Sequence, residues 1–96
     1  MSDRELLELA AKAIGGEFHS GHLYLLGQPE EWNPLNDDGD ALRMAVRANI
    51  VPRSINGVCF AWADGVCDVI ETHGSDQYAA TRRAIVRAAA EIGRQA

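Results

Sequence analysis

The chain has 96 residues, 47% of them hydrophobic and 24% charged, a composition that fits one globular domain over 1–96 rather than a disordered or fibrous chain. No apolar run approaches the roughly 20 residues that span a bilayer, and the charged start Met1-Ser2-Asp3-Arg4-Glu5 is unlike a secretory signal, so the expectation is a cytoplasmic protein. The net charge of −5 is uneven: residues 1–40 carry −7 and residues 41–96 carry +2, and the acidic half argues against a nucleic-acid surface.

Ser2-Asp3-Arg4-Glu5 reads as a capping box. Leu6, Leu9, Ala10, Ala13 and Ile14 then follow helical spacing until Gly15-Gly16 ends the helix. Residues 17–27 read as one or two short strands, with a turn or bulge at Gly21. Gln28-Pro29-Glu30-Glu31 reads as a loop, and Pro34 keeps Trp32-Asn33-Pro34-Leu35 extended. A second helix is expected after Asn36-Asp37-Asp38-Gly39-Asp40, with Asp37 as N-cap, Asp38 and Asp40 favourable at its positive end, and Leu42, Ala45, Val46 and Asn49 inward. Pro52 bars its continuation, and Ile50-Val51 fits a short edge strand.

Two β-rich runs, Val58–Ala63 and Val66–Thr72, flank Asp64-Gly65, a pair suited to a type I′ turn. An unbroken register would put Val58, Phe60, Trp62, Cys67 and Val69 on one face. It would put Cys59, Ala61, Ala63, Val66 and Ile70, with the charged Asp68, on the other. Apolar side chains on both faces imply cover on both: a helix layer over the large side, a second layer or another subunit over the small side. The last helix is expected from Ser75-Asp76 to Ile92, ending at Gly93, with Tyr78, Thr81, Ile85, Ala88, Ala89 and Ile92 buried and Arg83, Arg87 and Arg94 outside.

Site chemistry is sparse. Cys59 and Cys67 fall on opposite faces in that register, which precludes a disulfide, and neither belongs to a CxxC pair. His19 and His22 have an odd spacing that points them apart in a strand, unless a bulge at Gly21 aligns them with His73 into a three-histidine site. The Asn36–Asp40 acids fail the calcium-loop pattern, because Ala41 and Arg47 stand where Gly and Glu are needed. No nucleophile elbow, Walker loop or dinucleotide fingerprint is present. The expectation is therefore no enzyme, no metal and no cofactor. Trp32 reads either as a cap on the core or as an interface anchor. The residues offered to a partner are Trp32, Asp37, Asp38, Arg83 and Arg87.

Three stretches carry a resemblance: the helix Glu5–Ala13, the segment Trp32-Asn33-Pro34-Leu35-Asn36-Asp37-Asp38-Gly39-Asp40-Ala41-Leu42, and the ending Tyr78–Ala90. In that order they resemble small phage and prophage proteins with a phage α/β/α sandwich domain, akin to NinX-like early-region proteins. The resemblance implies an α+β three-layer α/β/α sandwich, with a mainly antiparallel sheet of about four strands and three helices. It also implies a phage origin but little biochemistry. With the catalytic constellation missing, and because small phage accessory proteins often bind and inhibit host proteins, CRISPR defence systems among them, the expectation is a non-enzymatic accessory protein in the host cytoplasm that binds a host or phage protein. The resemblance supplies no catalytic residues. Two alternatives stay open: a nucleotide- or ligand-binding or enzymatic domain using His19, His22, His73 or Arg82, Arg83 and Arg87, and a self-assembling domain whose small-residue hairpin face or Ala-rich last helix packs against a copy of itself.

Overall fold

Ser2 starts the first helix, α1 (Asp3–Ala13), as expected: its Oγ accepts the Glu5 N–H at 3.2 Å. The computed structural model describes residues 2–25, 27–55, 57–63, 66–72 and 74–95, with residues 66–68 described by backbone alone. Leu6, Leu7, Ala10 and Ala11 form the buried stripe of α1, with Leu9, Ala13 and Ile14 partly buried beside it.

A meander follows, made of β1 (Glu17–His19), β2 (His22–Leu25) and β3 (Gln28–Glu31), all antiparallel. Ser20 and Gly21 both have positive φ, 52° and 80°, the requirement of the two-residue turn that suits a right-twisted hairpin. The residues 28–31 expected as a loop are thus an edge strand. Pro29 is tolerated there because an edge strand turns one side away from any neighbour.

Trp32-Asn33-Pro34-Leu35 leads into α2 (Asp38–Ala48) through a chain of local bonds. Asp37 caps the helix by accepting the Asp40 N–H at 2.8 Å. Asp40 in turn accepts the Asn33 N–H at 2.9 Å, and Asn33 Oδ1 accepts the Leu35 N–H at 3.1 Å. Because Asp40 must face Asn33, α2 is rotated from the expected setting. Ala41, Met44 and Ala45 go inward, while Leu42 (61% exposed) and Val46 (69%), expected inside, face out.

The second sheet contains β4 (Val51–Ile55), β5 (Val58–Ala63) and β6 (Val66–Thr72), antiparallel with β5 central. The short edge strand expected at Ile50-Val51 runs through Pro52 to Ile55. The Asp64-Gly65 turn lies outside the described residues. Ala63 pairs with Val66 as expected, but the next regular pair is Ala61 with Val69, so a bulge shifts β6 by one residue. Phe60 therefore opposes Ile70 rather than Val69, and a one-residue slip exchanges the faces of a strand.

The last helix, α3 (Gln77–Gln95), passes through Gly93 instead of stopping there. It is buried around much of its girth by Ala80, Ala84, Ile85, Val86, Ala88, Ala89, Ala90 and Gly93. Tyr78, expected inside, is 65% exposed. α3 packs on α1, α2 and all three strands of the second sheet. The described residues thus make an α+β fold of three helices and two three-stranded antiparallel sheets, six strands where about four were expected. Among them, no helix is long and apolar enough to cross a membrane.

Gly93 is where α1 and α3 touch most closely. A Cβ placed on it would lie 1.8 Å from the Leu9 carbonyl oxygen and 2.8 Å from its carbon, a clash with main chain that no rotamer change relieves. Helix propensity alone would make Gly93→Ala stabilising by about 1 kcal/mol. Overpacking opposes it by about 1–3 kcal/mol or more, and with backbone as the obstacle it wins. Gly93→Ala is expected to destabilise the fold by about 2 kcal/mol, read as a lowered urea midpoint; an unchanged or raised midpoint would show that the helices separate freely.

Candidate functional site

The residues offered to a partner by the sequence are engaged within the chain. Trp32 is 4% exposed and packs on Phe18 with ring centroids 5.8 Å apart, so it caps the core. Asp37 is the α2 cap. Asp38 accepts from Arg82 Nη1 at 2.6 Å, while Arg82 Nε donates to the Leu35 carbonyl at 2.8 Å. Arg83 donates to Asp3 at 3.1 Å, and Arg87 pairs with Glu71 and donates to the Ile70 carbonyl. Arg83 and Arg87 share a cleft with Leu6, Val69, Glu71, Glu91 and Arg94, where Glu71 pairs with Arg87, Glu91 with Arg94, and Arg83 with Asp3.

The histidines form a different arrangement from either expectation. The Ser20-Gly21 turn sets His19 directly opposite His22, and His22 opposite Glu31, so the pair shares a face despite its odd spacing. His19 Nε2 is 3.2 Å from Glu17 Oε2, and His22 Nδ1 is 3.1 Å from the Ser20 carbonyl. His73 lies outside the described residues. Among the described residues no group of three or more His, Cys, Asp or Glu side chains could hold a metal ion. Cys59 is buried, its Sγ 3.1 Å from Thr81 Oγ1; the Cys67 side chain is outside the described set, so their expected separation stays an expectation.

The surface that stands out was not singled out from the sequence as a site. In the second sheet, Val51 pairs with Trp62, Arg53 with Phe60 and Ile55 with Val58, and across β5 Phe60 pairs with Ile70. Directly paired residues share a face, so these side chains form one side of the sheet. Val51, Ile55, Trp62 and Ile70 are 50%, 39%, 49% and 54% exposed, and Val51, Arg53, Ile55, Phe60 and Trp62 line a shallow groove. The opposite side carries Cys59, Ala61, Ala63 and Val69, all buried, beneath α3. The expected cover is therefore inverted: the helix takes the small-residue face, because alanine against alanine allows the closest approach, and the large side chains face outward.

Arg53 lies within this apolar face. Arg4, Arg43, Arg47, Arg82, Arg83, Arg87 and Arg94 each have a carboxylate within ion-pairing distance. Among the described residues, Arg53 has none. In comparisons with known proteins, no family model, no curated protein and no solved structure matches the chain.

The two tryptophans thus have opposite roles, and substitution separates them. Trp32→Ala is expected to destabilise the fold by about 3 kcal/mol or more, whereas Trp62→Lys, which loses a half-exposed cross-strand pair with Val51, should cost about 1 kcal/mol. Urea unfolding of both variants checks the assignment. Asp40→Ala, which frees the Asn33 N–H and the Arg43 guanidinium, should cost about 1–3 kcal/mol and, in a Trp62→Phe background, expose Trp32 to a fluorescence quencher.

Proposed function

We propose that this protein is a non-enzymatic accessory protein of phage type that works by binding another protein, of phage or host, through the outer face of the β4–β6 sheet. The observation that carries the reading is an apolar sheet face, centred on Phe60 and Trp62, left uncovered beside a fully packed core. Monomeric proteins rarely leave large contiguous apolar patches exposed unless the patch binds something. Tryptophan and arginine are the side chains most enriched where binding energy concentrates, and this face holds one of each.

The side chains that could carry chemistry support the same reading, because the structure uses them locally. Asp37, Asp38 and Asp40 terminate α2 and hold the Trp32 segment, and Arg82, Arg83 and Arg87 tie α3 to its neighbours. The phage affiliation rests on the three stretches quoted above. Of these, Trp32–Leu42 is the segment in which Trp32, Pro34 and Ala41 enter the core.

The test compares captures with two classes of variant. Tagged wild-type chain expressed in infected host cells should enrich a partner that Trp62→Lys and Ile70→Lys lose by at least tenfold, while Arg83→Ala retains it. Equal capture by wild type and by both lysine variants would overturn the assignment of the face.

A further inference from the structure

We propose that the occupant of the β4–β6 face is a second copy of this chain, two sheets packing face to face about a two-fold axis. The proposal rests on the reading of this face as a protein-binding surface and names its partner. Size is the first argument. Val51, Ile55, Val58, Phe60, Trp62 and Ile70 leave on the order of 500 Å² exposed per copy, near the upper end of what monomers tolerate. Two such faces in full contact would bury at most on the order of 1,000 Å², the low end for a biological interface and the size of a weak, reversible dimer.

Shape is the second argument. Sheets pack face to face about 10 Å apart with side chains interdigitating, and this face offers large side chains on three adjacent strands. Edge-to-edge pairing is the competing geometry for a sheet with an open edge. Here Pro52 sits within the edge strand β4, and a residue with no N–H cannot donate to an added strand. Pairing along β4 is thereby disfavoured; pairing along the other edge, β6, would leave the apolar face uncovered.

Charge chooses the axis. A two-fold axis running along β5 lays β4 over the partner's β6. Arg53, in the same cross-strand row as Phe60 and Ile70, then meets the partner's Ile70, with its guanidinium free to reach past the rim into water. The axis perpendicular to the strands would instead stack β4 on β4 and bring the two Arg53 side chains together. The first arrangement avoids that repulsion, places Phe60 on the partner's Phe60 in the middle row and sets Trp62 against the partner's Trp62 at one end of the axis. Each copy keeps α3 on its outer side, giving helix, sheet, sheet, helix.

Sedimentation equilibrium of the full chain over roughly 1–500 μM, the range of a modest interface, tests this. The expected result is a mass that rises from monomer towards dimer. Association should strengthen with added salt, since each copy carries −5 and screening weakens their mutual repulsion. Trp62→Lys and Ile70→Lys should weaken it at least tenfold while shifting only slightly the urea midpoint read at a concentration where the wild type is monomeric, and Leu42→Lys on the exposed side of α2 should leave it intact. A monomer throughout, or a dimer indifferent to both sheet variants, overturns the proposal. If the chain is monomeric yet Trp62→Lys abolishes capture of a different protein, the face remains a binding surface and only its occupant is wrong.

Discussion

The close contact between α1 and α3 is the constraint on which the rest of the structure depends. Gly93 meets the Leu9 carbonyl at a distance that leaves no room for a methyl group, and Ala10 and Ala11 of α1 are fully buried with Ala88, Ala89 and Ala90 of α3. Small residues bring two backbones together and so maximise dispersion contacts per residue. They give α3 neighbours on several sides at once: α1, α2 and the second sheet. A helix of 19 residues held this way is less a surface helix than the axis of the molecule.

That choice decides which face of the second sheet is covered. A helix already closely packed against α1 accepts on its other side a layer of small side chains, and Cys59, Ala61 and Ala63 provide one. The sulfur of Cys59 fits against Thr81 and near the Gln77 carbonyl. Alternation along β5 then sends Val58, Phe60 and Trp62 the other way. The bulge in β6 keeps this consistent: it turns Val69 inward to join Ala61 and turns Ile70 outward to join Phe60. The open apolar face is thus the complement of tight packing elsewhere.

Local signals in the sequence were legible where a single short stretch determines the outcome. Ser2 caps α1, Asp37 caps α2, and the β5 and β6 runs end where their residue types change. The rotation of α2 was not legible from periodicity, since Leu42 and Val46 fit a helical stripe as well as Met44 and Ala45 do. It is set by Asp40 reaching back to Asn33, a contact seven residues apart in sequence. The bulge was equally hidden, because an unbroken register satisfies the same apolar residues. One available signal went unread: Ile55-Asn56-Gly57-Val58 carries the commonest hairpin dipeptide, and Ile55 does pair with Val58. Reading it would have placed Val51, Arg53 and Ile55 beside Phe60 and Trp62 and shown a third strand contributing to the same face.

The balance of forces on that face explains why it, and not the charged surface, carries the functional reading. The ion pairs of Arg4, Arg83 and Arg94 are substantially solvent-exposed on both sides, and exposed pairs contribute about 0–1 kcal/mol each. A protein competing for them must replace partners already in place. Among the described residues, no ion pair competes on the sheet face. Its apolar side chains are in contact with water, and covering them is favourable by about 25 cal/mol per Å² before the costs of association. Arg53, which has no ion-pair partner among the described residues, would disfavour any arrangement that buried it opposite another cation.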